Sequence, residues 1–71
     1  MIVDLIEPGN DWNWNFRYET DCCPRVGETV THLQPGRFVA KILSVDHLIT
    51  LSFGEFKEYI ITCKVKLIRA N

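Results

Sequence analysis

The chain has 71 residues, of which 46% are hydrophobic and 24% charged, and its net charge is −1 at neutral pH. This length predicts one domain over residues 1–71, close to the lower limit for folding on a hydrophobic core alone, and the composition argues against disorder. No apolar run is long enough to span a bilayer and the N-terminal residues lack the pattern of a secretory signal, so we expect a soluble, cytoplasmic protein that does not bind membranes.

A pair of strands joined by a turn is predicted at the start of the chain. Residues 1–6 are apolar and β-branched, as strands usually are. Pro8-Gly9 favours a turn, because proline presets the first central position and glycine accepts positive φ at the second. In residues 12–18 aromatic and polar side chains alternate, which predicts a second strand and a hairpin with the first.

The alternation places four aromatic side chains on one face of this second strand: Trp12, Trp14, Phe16 and Tyr18. If that face is buried, it supplies the large apolar area that a short chain needs for its core. If it is exposed, it is a binding surface. We favour burial, since large apolar groups in small domains are usually covered, with a mixed outcome in which Phe16 is buried and Trp12 is exposed near the turn.

Two tryptophans near a turn provide more aromatic surface than the end of one hairpin normally buries in its own core. We therefore predict that at least one of them contacts a partner, and an aromatic patch with polar neighbours is typical of the centre of an interface. The candidate partner-binding residues are Trp12, Asn13, Trp14, Asn15 and Arg17.

The middle of the chain predicts a loop and then several short strands. Residues 19–27 form the loop, because Pro24 cannot donate to a sheet ladder. Strands and turns follow in this order: a strand at 28–33, a turn at Pro35-Gly36, a strand at 37–45, a tight turn at Asp46-His47, a strand at 48–52 and a turn at Gly54.

A long final strand is predicted from Phe56 to about Ile68, and its alternation assigns the two faces. The face expected in the core carries Tyr59, Ile61, Cys63, Val65 and Leu67. The mostly solvated face carries Ile60, Thr62, Lys64, Lys66 and Ile68. Six short strands with turns between them predict an all-β fold, a small closed or partly open barrel or roll. Pairing of the last strand with the first would close it. An SH3-like barrel is preferred over an OB-like one, which usually contains a helix.

Three stretches together resemble a pattern in small bacterial and phage-borne SH3-like β-barrel proteins: Phe16-Arg17-Tyr18, then Cys23-Pro24-Arg25-Val26-Gly27-Glu28-Thr29-Val30, then Gly36-Arg37-Phe38-Val39. The resemblance covers residues 16–45. It implies a small adaptor or binding role and a mobile-element origin, and it brings no catalytic residue. In physical terms, Gly27 allows the loop to turn into the sheet, and Val26 and Val30 are expected to anchor the strand in the core.

Charge is unevenly distributed along the chain, which raises the alternative of nucleic-acid binding. Residues 1–28 carry six acidic and two basic side chains, whereas residues 29–71 carry three acidic and six basic ones. In that alternative, Trp12 and Trp14 stack on bases of a single strand, while Lys64, Lys66 and Arg69 hold its phosphates. The overall acidic charge favours a protein partner instead, because nucleic-acid-binding domains usually have a basic excess.

No motif in the chain indicates catalysis, a metal or a cofactor. Three cysteines, two of them adjacent, fit neither a disulfide framework nor the ligand spacing of zinc sites, and we expect Cys63 to be a small apolar core group. His32, His47, Asp46 and Cys63 have no local signature of a nucleophilic site. We therefore expect a non-enzymatic binding or adaptor module whose partner is a protein, a second copy of the chain included.

Overall fold

Five β-strands form the fold. The computed structural model describes residues 1–9, 13–34, 36–52 and 55–70, and for residues 51, 52, 55–58, 69 and 70 the backbone only. The strands are β1 (Ile2–Glu7), β2 (Trp14–Glu19), β3 (Thr29–His32), β4 (Phe38–Ser52) and β5 (Glu55–Ala70). No helix occurs in these described residues, and the all-β prediction is confirmed.

The strands form one mixed sheet in the order β2-β1-β5-β4-β3, curled into a half-barrel. The pairs β1–β2, β3–β4 and β4–β5 are antiparallel, while β1 pairs in parallel with β5, from Ile2 opposite Ile60 to Ile6 opposite Lys64. The predicted pairing of first and last strands is therefore confirmed. It joins the β1–β2 hairpin to the β3–β4–β5 meander, and β2 and β3 are left as the two edges, so the barrel is partly open.

The three predicted hairpin turns, near Pro8-Gly9, Pro35-Gly36 and Gly54, fall between paired strands, although residues 10–12, Pro35, Phe53 and Gly54 themselves lie outside the described residues. The predicted turn at Asp46-His47 is wrong, because β4 continues through both residues for 15 residues in all. Asp46 opposes Thr62 and His47 opposes Ile61, so the ladder with β5 satisfies the backbone that a turn would have interrupted. The chain accordingly has five strands rather than six.

The core lies on the inner face of the half-barrel. Its buried side chains come from β1, β4 and β5, and they are Val3, Leu5, Phe38, Ala40, Ile42, Ile61, Cys63 and Val65. Tyr59 and Leu67 are partly buried against this cluster, while Lys64 and Lys66 are exposed, so the predicted faces of the last strand are confirmed. Cys63 is fully buried, as expected of a small core group.

Gly27 turns the loop into β3 by a positive φ of 92°. The Glu28 amide donates to the Arg25 carbonyl and the Arg25 amide donates to the Glu28 carboxylate, which closes a tight turn. The Gly27 amide then donates to the Ile42 carbonyl, and the Ile42 amide donates to the Glu28 carbonyl. Gly27 and Glu28 thus both oppose Ile42, which is the arrangement of a glycine β-bulge. The motif that carries the resemblance therefore has an architectural role.

The expectation for the two valines of this motif is half wrong. Val30 packs against the core, but Val26 is 66% exposed because it lies at the outer corner of the turn from Arg25 to Glu28. Pro24, predicted only to interrupt the strand pattern, is the buried residue of the loop. Because proline has no backbone N–H, its burial leaves no amide donor unsatisfied.

Candidate functional site

An aromatic cluster fills the gap between the two edge strands. We define it as Trp14, Phe16, Tyr18, His32 and Phe38. The three β2 members oppose Glu7, Leu5 and Val3 of β1, so they point inward, and Phe16 and Tyr18 lie beside the buried Leu5 and Val3. Each of the three is partly buried, Phe16 included, and Trp12 lies outside the described residues, so the predicted contrast between Phe16 and Trp12 stays a prediction.

The rings of the cluster meet edge to face and in tilted stacks. The Phe38 ring centroid lies 4.9 Å from that of Trp14 and 5.0 Å from that of Phe16, both near perpendicular. The Phe16 ring also lies 4.7 Å from that of His32, which joins edge strand β2 to edge strand β3. Edge-to-face pairs at these distances are favourable by about 0.5–1.5 kcal/mol beyond area burial. Side chains therefore close the half-barrel where no backbone ladder does.

The outer face of β2 is polar. Asn13, Asn15 and Arg17 are exposed, as the alternation predicts. The Arg17 guanidinium donates to both Asp4 carboxylate oxygens, at 2.6 and 2.9 Å. These hydrogen bonds, more than the charge attraction itself, lower the pKa of Asp4 against a smaller opposing effect of burial. Among the predicted partner-binding residues, Arg17 is thus anchored on the neighbouring strand while Asn15 lies beside it in a shallow depression that Asp4 and Ile6 also line.

The backbone groups of β2 face alternately toward β1 and away from it. The Thr20 amide donates to the Met1 carbonyl at 2.9 Å, and the Met1 ammonium donates to the Thr20 carbonyl at 2.7 Å, so these two residues form a hydrogen-bonded pair. Hydrogen-bonded pairs alternate along an antiparallel ladder. The backbone groups of Trp14, Phe16 and Tyr18 consequently face β1, and those of Asn15, Arg17 and Glu19 face away from it.

The loop at residues 20–28 brings a second cysteine toward the core. Cys23 is partly buried against the core and its thiol donates to the Pro24 carbonyl at 3.4 Å, whereas Cys22 is exposed. Burial, and then the proximity of Cys23, raises the pKa of the Cys63 thiol. Burial also raises the pKa of Tyr18, with smaller contributions from Cys63, Cys23 and Glu28. At neutral pH Tyr18 and Cys63 therefore remain protonated and uncharged.

His47 and Asp46 do not join Cys63 in a common site. His47 lies on the inner face, where its Nδ1 is hydrogen-bonded to the Tyr59 hydroxyl, while alternation directs Asp46 to the outer face. Within the described part of the chain, no three His, Cys, Asp or Glu side chains converge as metal ligands would.

The lysines predicted to hold phosphates lie on the face opposite to the aromatic cluster. Lys64 opposes Ile6 of β1 on the outer face, two positions before Lys66, whereas Trp14 points inward. The structure therefore does not bring Trp14 and the lysines together. Trp12 lies outside the described residues, as does the side chain of Arg69. Lys41, which the sequence did not single out, opposes Lys66 directly on the outer face.

Two members of the aromatic cluster were also missed as site residues. Phe38 belongs to β4 and His32 to β3, and each is more than a dozen positions away from the β2 aromatics in sequence. His32 alternates with Val30 along β3, and both are partly buried. Nothing in the sequence indicated that these side chains would meet Phe16, because that contact arises from the curling of the sheet.

Comparison of the chain with protein-family models, with curated proteins and with solved structures gives no match. The SH3-like resemblance therefore stays a prediction. The described residues also contain no helix of the length and apolar character needed to cross a membrane.

Proposed function

We propose that this protein is a small non-enzymatic binding module that takes an extended segment of a partner protein along the β2 edge. The segment adds a strand beside β2, so that its backbone bonds to the outward-facing groups of Asn15 and Glu19. The single observation that carries the proposal is this edge, beside which no further strand lies among the described residues and whose inner face carries partly exposed aromatic rings.

The aromatic cluster is suited to the side chains of such a segment. A strand added beside β2 directs every second side chain to the inner face, next to Trp14, Phe16 and Tyr18. These rings are already held by Phe38 and by the core, so little conformational entropy is lost when a partner covers them. The preferred segment therefore carries apolar residues at alternate positions.

Asn15 offers a matched pair of variants for testing this proposal. Asn15→Pro removes an outward amide and places a ring in the path of an added strand, while the ladder with β1 and the aromatic face are untouched. Asn15→Ala keeps the amide and removes only the side chain. The wild-type protein is used to select binders from a displayed library of random dodecapeptides.

We expect the selected peptides to show alternating apolar residues, to bind Asn15→Ala nearly as well as the wild type, and to lose binding to Asn15→Pro. Peptides that bind both variants equally, or a selection that yields no binder, would contradict the proposal. If the partner is a second copy of β2, sedimentation of the wild type will depend on concentration and Asn15→Pro will abolish that dependence.

A second candidate is sequence-independent nucleic-acid binding by the outer face, and the arrangement of three lysines favours it. Lys41 and Lys66 are exposed and directly opposite, and Lys64 lies two positions along the same strand. Like charges opposite each other in a sheet are destabilising. No described carboxylate lies within ion-pair distance of these three lysines. An anionic polymer with regularly spaced phosphates would relieve this repulsion, and base stacking on Trp14 has no part in it.

This second candidate predicts weak binding that depends steeply on salt. Three phosphate contacts give a slope of log K against log salt of about −2.7 for duplex DNA and about −2.1 for a single strand. Lys41→Glu with Lys66→Glu should abolish binding of a labelled oligonucleotide, whereas Trp14→Phe should not change it. Binding that resists salt, or that is unaffected by the lysine changes, would rule the candidate out.

A further inference from the structure

Strand β4 extends well beyond its neighbour β3. Pairing with β3 runs from Phe38 to Lys41, and the Gly27–Glu28 bulge holds Ile42. From residue 44 to residue 52 the described strands give β4 a neighbour on one side only, β5. We call residues 44–52 the distal edge. One side of its backbone ladder faces no strand among the described residues.

The distal edge lacks the lysines and prolines that often prevent an edge strand from pairing with another chain, and its register with β5 is regular from Ser44 to Thr50, between two irregularities. Between Ile42 and Gly54 the only charged residue is Asp46, and there is no proline and no lysine. Exposed edges are normally protected by such residues or by being very short. Edge strand β3, in contrast, is short, with four residues.

Apolar side chains are exposed on both faces of the distal edge. Leu48 is 48% exposed and Ile49 is 60% exposed. Ile49 opposes Tyr59 on the inner face, and Leu48 opposes Ile60 on the outer face. A strand added beside this edge covers both side chains at once, which a ligand bound to one face of the sheet does not.

We propose that the distal edge pairs with the distal edge of a second copy of this chain, in an antiparallel two-fold arrangement. Directly opposite residues of an antiparallel pair lie on the same face of the sheet. In a two-fold arrangement, the residue at the axis therefore pairs with the same residue of the other copy. Either Leu48 or Ile49 can take this central position. The only charged side chain, Asp46, then lies four to six positions from its symmetry mate, about 14–20 Å along the strand. No like charges oppose each other in either register.

The occupant is a second copy because the segment is complementary to itself. The pairing requires a strand that is almost uncharged and apolar on both faces, and the distal edge meets this requirement in each copy. A two-fold contact uses the same surface on both chains, so it is complete at the dimer and leaves no further edge of this kind. The dimer leaves the backbone edge of β2 free, so this inference does not depend on the function proposed for the aromatic cluster.

Two isoleucines with the same exposure provide a matched test. Ile49→Lys places a charge in the proposed interface, and Ile68→Lys makes the same change on β5, where Ile68 is 59% exposed next to a bulge. Sedimentation velocity of the full chain from micromolar to millimolar concentration gives the dimer dissociation constant. We expect a wild-type dimer, a dissociation constant raised at least ~tenfold by Ile49→Lys, and one nearly unchanged by Ile68→Lys. Circular dichroism establishes that both variants are folded.

Hydrogen exchange gives a second readout that does not depend on a variant. In the wild type, amides within residues 44–50 should exchange more slowly at high protein concentration than at low concentration, while core amides such as that of Ile61 should not change. A monomer at every concentration, equal effects of the two lysine variants, or oligomers that keep growing would each overturn the proposal. So would a dimer that is lost in Asn15→Pro and kept in Ile49→Lys, which assigns self-association to β2 instead.

Discussion

The two halves of β4 belong to one continuous strand and have opposite environments. In the near half, Phe38, Ala40 and Ile42 are buried, and β3 and β5 flank the strand on either side. In the distal half, His47, Leu48 and Ile49 are exposed, and among the described strands β5 alone pairs with it. Both halves contain several apolar residues. The difference shows that burial in this sheet depends on which neighbours cover a strand rather than on the composition of the strand.

The covering of the near half comes from distant parts of the chain. Trp14 and Phe16 of β2 pack on Phe38, and the Gly27 bulge attaches β3 beside Ile42. Full burial of a side chain such as isoleucine or phenylalanine stabilises a fold by about 1.5–3 kcal/mol. The buried side chains of the near half therefore stabilise the fold of a single chain, whereas the exposed side chains of the distal half do not.

The largest expected effect contrasts an isoleucine from each half. Ile42→Ala should lower the free energy of unfolding by about 2–5 kcal/mol, because it leaves a cavity in a fully buried site. Ile61→Ala, on the adjacent strand, should do the same. Ile49→Ala should change it by less than about 0.5 kcal/mol in dilute, monomeric protein. Urea unfolding followed by tryptophan fluorescence measures all three, and equal losses for Ile42 and Ile49 would show that the halves do not differ.

Releasing β3 should make the near half resemble the distal one. Gly27→Ala forces a residue with a Cβ into a φ of 92°, which should cost about 1–2 kcal/mol although the added methyl group meets no atom within 4 Å. The Ile42 amide, which bonds to Glu28, should then exchange faster with solvent. Val26→Ala, one residue earlier and 66% exposed, is the control and should have little effect. Unchanged protection of Ile42 in Gly27→Ala would contradict this role of the bulge.

A smaller effect on stability is expected at alkaline pH, and it comes from Tyr18 on the inner face of the sheet. Burial raises the pKa of Tyr18 above its ordinary value of 10.0, so its contribution to stability is complete below pH 10.0 and is lost as the pH rises through the higher folded-state pKa. Tyr18→Phe removes the ionisable group and should flatten this alkaline decline. Urea midpoints of both proteins from neutral pH to pH about 11 measure the difference. Parallel declines would show that Tyr18 ionises freely in the folded protein.

The smallest expected effect is on the outer face, where Arg17 binds Asp4. Arg17→Ala should cost about 0.2–1 kcal/mol at neutral pH, because the guanidinium is largely exposed and screened by water. The pKa of Asp4 is lowered from its ordinary value of 3.8, so this contribution is present above pH 3.8 and disappears as the pH falls through the lower folded-state pKa. Lys64→Ala is the control, and a similar loss there would assign the effect to general charge.

Predictions from local sequence pattern were accurate where the two-residue period of a strand alone sets the direction of a side chain. Alternation placed Ile61, Cys63 and Val65 inside and Lys64 and Lys66 outside, because a strand directs successive side chains to opposite faces whatever its neighbours are. Glycine at position 27 indicated an unusual backbone angle for the same kind of reason, since the restriction is local.

Predictions about the site were less complete, because its parts converge only in three dimensions. Asp46-His47 has the composition of a turn, yet the ladder with β5 keeps both residues extended. Trp14 and Lys64 both belong to plausible nucleic-acid motifs, but alternation on two different strands places them on opposite faces. Whether side chains on two strands share a face depends on the register of the strands. That register is a property of the pair, so neither strand's sequence gives it alone.

The all-β class, the three hairpins and the inward or outward direction of most side chains were predictable from the sequence alone, because they follow from backbone sterics and from the two-residue period of a strand. Three outcomes appeared only in the folded chain: the parallel register of β1 against β5, the contact of the β2 rings with His32 and Phe38, and the extension of β4 beyond β3. Those outcomes depend on contacts between residues far apart in the chain. Their free energy is shared among many side chains, and no local segment encodes them.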